Sequence, residues 1–132
     1  DARNTDYPVY DEANLVLVEE IQMKLMTKEL ARKLPRLYST DMFTDEGERN
    51  DNMILIAKFF TPDSQWTWYI IEGEQRGDDW LFFGYIVGLE RELGYFTLSE
   101  LESVRGPLGL KIERDIYWKP ITLGELLARE KK

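Results

Sequence analysis

"KFFTPDSQWTWYIIEGEQRGDDWLFFGYIVG", residues 58–88, sets nine aromatic side chains and five acids into one unbroken stretch. Aromatic and β-branched residues suit a pleated, half-buried surface, and both interruptions are turn chemistry. Pro62-Asp63-Ser64-Gln65 reads as a four-residue hairpin loop. Proline presets φ there, and Asp and Ser bond their own backbone. Gln75-Arg76-Gly77-Asp78 reads as the close of a second hairpin.

Working outward, strands are predicted at MILIAKFFT (53–61), WTWYIIEG (66–73), DWLFFGYIVGL (79–89) and LGYFTL (93–98). KIERDIYWKP (111–120) supplies a fifth strand or an extended arm. Alternation places Trp66, Trp68 and Ile70 on one face and Thr67, Tyr69 and Ile71 on the other. In the next strand Trp80, Phe82, Gly84 and Ile86 oppose Leu81, Phe83, Tyr85 and Val87. Neither face is polar, so both must be covered, or one must meet a partner.

Helices are short. Thr27 is the expected N-cap of TKELARKL, Leu30, Ala31 and Leu34 form its apolar stripe, and Pro35 ends it. Lys28, Arg32, Lys33 and Arg36 make the opposite face basic, which reads as a solvated helix surface. FTLSEL (96–101) and ITLGEL (121–126) each carry Thr-x-x-Glu, the capping-box spacing. They predict helices near 98–105 and 123–131, with Gly106-Pro107 stopping the first. The expected fold class is α+β: one domain, a mainly antiparallel sheet of four to five strands, and about three short helices.

The net charge is −8, and residues 1–22 hold −5 of it: six acids against Arg3. This acidic extension is expected to add an edge strand at Leu15–Val18, ahead of a domain spanning 23–132. Met23 has the look of a start. The chain has no cysteine and no histidine, which removes disulfides, thiol nucleophiles, Ser-His dyads and the usual zinc ligands. No run approaches the ~18 apolar residues of a membrane span, and NLVLVEE is too short and too soon acidic for a leader. A reducing cytoplasm suits this composition.

Motifs for small-molecule chemistry are weak. STDMFTDEGERNDN (39–52) is acid-rich but lacks the calcium-loop order, and no phosphate-loop pattern occurs. Asp78-Asp79 reads as a turn cap beside a solvated charge, because neighbours on a strand point to opposite faces. Glu100 and Glu102 diverge on a helix. Arg105, Lys111 and Arg114 read as solvated cations. Nothing calls for a cofactor or a metal.

KLMTKELARKLPRLYS, AKFFTPDSQWTWYIIEG, DDWLFFGYIVGLERELGYFTLSELESVRGPLGL and IERD resemble a family of small bacterial proteins, domain of unknown function 2958. The resemblance runs from Met23 to about Pro120. Members are often encoded on plasmids and other mobile elements, which implies an accessory role and transfers no catalytic residue.

The sequence therefore points to a non-catalytic protein-interaction module, regulatory or anti-defence in role, with a protein partner or a homodimer. Trp66, Trp68, Trp80 and Asp63 are the candidate contact residues, since Trp joins apolar area to a polar handle. One alternative is a carboxylate-based, magnesium-dependent enzyme. Another is a single-stranded nucleic-acid binder, disfavoured because Lys58 is the lone cation among the central strands.

Overall fold

The structure, a computed structural model, describes residues 24–131. The acidic extension 1–22 and the strand expected at Leu15–Val18 lie outside them. Helix α1 (Lys28–Lys33) starts at Thr27, whose hydroxyl accepts the Leu30 N–H at 3.1 Å. It stops where Leu34 turns extended ahead of Pro35. There follow β1 (Ile54–Leu55), β2 (Ala57–Phe60), β3 (Thr67–Arg76), β4 (Asp79–Val87) and β5 (Arg91–Thr97). The chain closes with α2 (Leu98–Ser103), β6 (Glu113–Arg114), β7 (Ile121–Thr122) and α3 (Leu123–Glu130). Both expected capping boxes form, Thr97 with Glu100 and Thr122 with Glu125.

An antiparallel sheet of order β5-β4-β3-β2-β6 is accompanied by a two-residue ribbon, β1 with β7. One face carries Phe59, Trp68, Ile70, Phe82 and Phe96. It is covered by Leu25, Met26, Leu30 of α1 and Leu101 of α2. The other carries Tyr69, Ile71, Phe83 and Tyr85 beneath Met53, Leu55, Ile121, Leu123 and Leu126. The apolar faces thus make two cores, each ring contributing about 1.5–3 kcal/mol by leaving water.

Three local departures from simple alternation shape the result. Residues 53–61 are not one strand: the chain breaks at Ile56, and Leu55 pairs with Ile121 while Ala57 pairs with Ile70. Unbroken alternation would send Met53, Leu55, Ala57 and Phe59 to one face, whereas the break gives Met53 and Leu55 to the second core. The second hairpin is also tighter than expected. β3 runs to Arg76 opposite Asp79, leaving Gly77-Asp78 as a two-residue turn with Gly77 at φ +61°. A first central glycine of that hand matches the twist of the flanking strands.

The third departure is a β-bulge. Ile70 pairs with Gly84 and Glu72 with Phe83, so Ile71 is an extra residue on β3. Bulges re-aim side chains. Strict alternation would drive Glu72 into the first core with Ile70, and the bulge turns it to the face of Tyr69 instead. Gly84 is required beside it, because a Cβ there would lie 2.0 Å from the Tyr69 carbonyl oxygen.

Candidate interaction surface

The four residues expected to form a contact surface are not brought together. Trp66 is 38% exposed and stacks on Trp68, ring centroids 5.8 Å apart. Trp68 is itself buried in the first core, so a partner reaches it only through Trp66. Trp80 is half-buried and stacks on Phe82 at 6.2 Å. It sits six residues from Ile86, the partner of Trp68 on β4, or about 20 Å along the strand. Asp63 is a tether: its Oδ2 accepts the Leu108 N–H at 2.7 Å, and its carboxyl lies against Gly106. Around Trp66, which rests on Gly88, the same end of the sheet displays Leu89 at 93% and Leu108 at 80% exposure.

A second aromatic surface was not foreseen. Between α1 and β1 the chain passes from the first core (Leu34) to the second (Leu37), rounding the edge of β3 beyond the reach of β2. Three hydrogen bonds fix this passage. Gly73 N–H donates to the Pro35 carbonyl at 3.1 Å. Tyr38 N–H donates to Glu72 Oε1 at 2.8 Å, and Thr40 N–H to Oε2 at 2.6 Å. Glu72 is buried to 1% exposure, so both oxygens are matched by backbone donors where water is excluded.

Tyr38 is held by this clamp with φ +68°, and no other described non-glycine residue has positive φ. For a bulky side chain that region is a strained outlier. Its ring is 71% exposed and lies 6.1 Å from that of Tyr95, itself 47% exposed and 5.0 Å from Phe83. Burial pushes the Tyr95 phenol up, with smaller contributions from Tyr38 and Glu72 beside it. The available sequence signal was Glu72 itself, the one acid inside WTWYIIEG. Its acceptor role was hidden, because its partners lie 34 and 32 residues away.

Elsewhere three ion pairs form among the described residues. A cavity of about 670 Å³ between α3 and β4–β5 is lined by Arg49, Tyr85 and Arg91, among others. Arg49 binds Asp51 at 2.6 Å and Arg91 binds Glu130. The Arg49 guanidinium holds the Asp51 carboxyl below its ordinary value. Asp79 is likewise lowered, by the Ser99 hydroxyl first and the Trp80 N–H second, which ties the start of β4 to α2. Among the described residues no three acids gather as a metal site, and no helix is long and apolar enough to cross a membrane.

With this geometry in place, comparison supplies the kinship. A family model described as "Protein of unknown function (DUF2958)" matches residues 18–127. The chain belongs to this family. The DUF2958 match begins five residues ahead of Met23, where the sequence resemblance was expected to begin, and ends inside α3. Tyr38, Glu72, Tyr95 and Trp66 all fall within it. No curated protein and no solved structure matches the chain.

Proposed function

We propose that this protein is a non-catalytic protein-interaction module whose contact surface is anchored by Tyr38 and Tyr95. The observation that carries this reading is the strained, exposed Tyr38. A left-handed position in a turn is filled at least strain by glycine or asparagine. Here a tyrosine occupies it, fixed by a buried carboxyl group, and its ring adds little to either core. Strain of this kind is retained where the side chain it presents is used. Tyrosine also suits a contact, since it offers a large rigid area and a polar tip.

Trp66 is an accessory anchor in this proposal, joined by Leu89 and Leu108 at its end of the sheet. Trp68 and Asp63 support that end from beneath, and Trp80 belongs to a different region. A regulatory or anti-defence role in a bacterial cytoplasm is the setting we propose, on the strength of the mobile-element context that the sequence resemblance implies.

The test compares affinity capture from host extract by the full chain and by Tyr38→Gly. Glycine keeps the backbone conformation and removes only the ring. Loss of a specific captured protein is the expected result; identical capture by both chains sinks the assignment of Tyr38.

A further inference from the structure

We propose that the outer edge of β5, unpaired among the described residues, takes an extended, basic segment of a partner protein as an added strand, alongside the Tyr38–Tyr95 rings. This rests on the interaction-module reading and specifies its partner. β5 is the terminal strand of the five-stranded sheet, and no described residue pairs with its outer side. Two hydrogen bonds fix which backbone groups face outward. Gly88 N–H donates to the Glu90 carbonyl at 2.9 Å, and Thr97 N–H is taken by Glu100 Oε1 at 2.7 Å rather than by β4. Antiparallel pairs alternate between bonded and non-bonded, so Glu92, Gly94 and Phe96 turn toward β4. Arg91, Leu93 and Tyr95 therefore aim their N–H and C=O groups away from the sheet.

An array of alternating donors and acceptors at strand spacing is complementary to another extended backbone. Proteins ordinarily blunt such an edge with proline, a bulge or a covering element. β5 has neither proline nor a register shift against β4. The opposite edge is different: β6 has two residues, and the neighbouring Lys58 carbonyl already accepts the Asp115 N–H at 2.9 Å.

Charge selects the occupant. Glu90, Glu92 and Glu100 flank the edge, and its one cation, Arg91, is bound to Glu130. A second copy would bring the same acids against these. A segment bearing Lys or Arg at alternate positions meets Glu92 on one face of the sheet and sets its other, apolar side chains beside the exposed Tyr95 on the opposite face. Gly94 leaves room for an incoming side chain, since a Cβ there would meet only Ile86 Cδ1 at 3.4 Å.

The experiment follows backbone amide resonances of the full chain during titration with an octapeptide of alternating lysine and valine. Two controls are the glutamate–valine octapeptide and lysine–valine octapeptides N-methylated at alternate residues in either phase. Shifts centred on Arg91, Leu93 and Tyr95 are expected, weakening as salt rises. They should be absent with glutamate, and one N-methylated phase should bind at least tenfold more weakly. No shift at these amides, or equal shifts with all peptides, overturns the proposal. So does concentration-dependent protection of these amides without peptide together with a dimer in sedimentation, which assigns the edge to a second copy. If Tyr38→Gly abolishes partner capture while the β5 amides stay silent, the interaction module stands and strand addition falls.

Discussion

Trp66 and Tyr38 are both aromatic rings turned to solvent, yet the structure supports them in opposite ways. Trp66 sits on ordinary backbone and rests its ring on Trp68 and Gly88, so its exposure is the upper side of a core stack. Tyr38 has strained backbone, a buried carboxyl group beneath its N–H and a second exposed tyrosine beside it. At the Trp66 end, exposure is what remains after packing. At the Tyr38 corner, a bulge, a clamp and a left-handed residue combine to produce it. Exposed area alone does not separate these cases; the backbone conformation and its hydrogen-bond partners do.

The comparison can be broken most forcefully at Trp68. Trp68→Ala should lose about 3–5 kcal/mol in denaturant unfolding, the range for a buried large aromatic. A loss under ~1 kcal/mol would mean that the stack below Trp66 is no core. Glu72→Ala comes next, at about 2–4 kcal/mol, because two backbone N–H groups lose their acceptor and a cavity opens. Its amides at Tyr38 and Thr40 should also gain fast hydrogen exchange. If they remain protected, the clamp does not hold the passage.

Trp66→Ala should cost about 1 kcal/mol, the worth of one half-exposed stacking contact. Tyr38→Gly should fall within ~1 kcal/mol of the parent and on the stabilising side if relief of strain exceeds the lost Tyr95 contact. A melting midpoint lowered by many degrees would show that the ring is structural after all. The smallest effect is with acid. Asp79 and Glu125 are held below the ordinary carboxylate value, Asp79 by Ser99 and Glu125 by the Thr122 N–H. The unfolded chain then binds protons first. Their contribution is present above the unfolded pKa of about 4 and is lost as pH falls through the lower folded values. Melts from pH 6 to 2 should show a falling midpoint, less steep in Asp79→Asn.

What could be read from the residues was what neighbours decide. The Thr97 and Thr122 caps, the Pro62–Gln65 loop and the alternation of Trp80 through Val87 depend on spacings of a few positions, and each appears in the fold. The break at Ile56 and the bulge at Ile71 depend on which core a distant segment fills, and Tyr-Ile-Ile-Glu does not mark which residue is extra. Trp66 and Trp68 share a face as period two requires. Trp66 lies on top, its ring in the space that a Cβ at Gly88 would fill. Tyr38 had no signal among its own neighbours, since its conformation is imposed by Glu72, 34 residues away.

The split strand at Ile56 has a consequence for how the chain is made. The first face of the sheet is roofed by residues 24–34 and 98–104, which leave the ribosome soon before or after the strands themselves. The second face receives its lid from Ile121, Leu123 and Leu126, clipped in place by pairing with Ile54–Leu55 some 67 positions upstream. Until those residues emerge, Tyr69, Phe83 and Tyr85 are covered only in part, by Leu37, Met53 and Leu55, on a nascent, half-roofed sheet. Such a species is prone to clumping. A released chain cut just before Ile121 should therefore be an aggregation-prone, chaperone-dependent species, whereas one that keeps α3 should not.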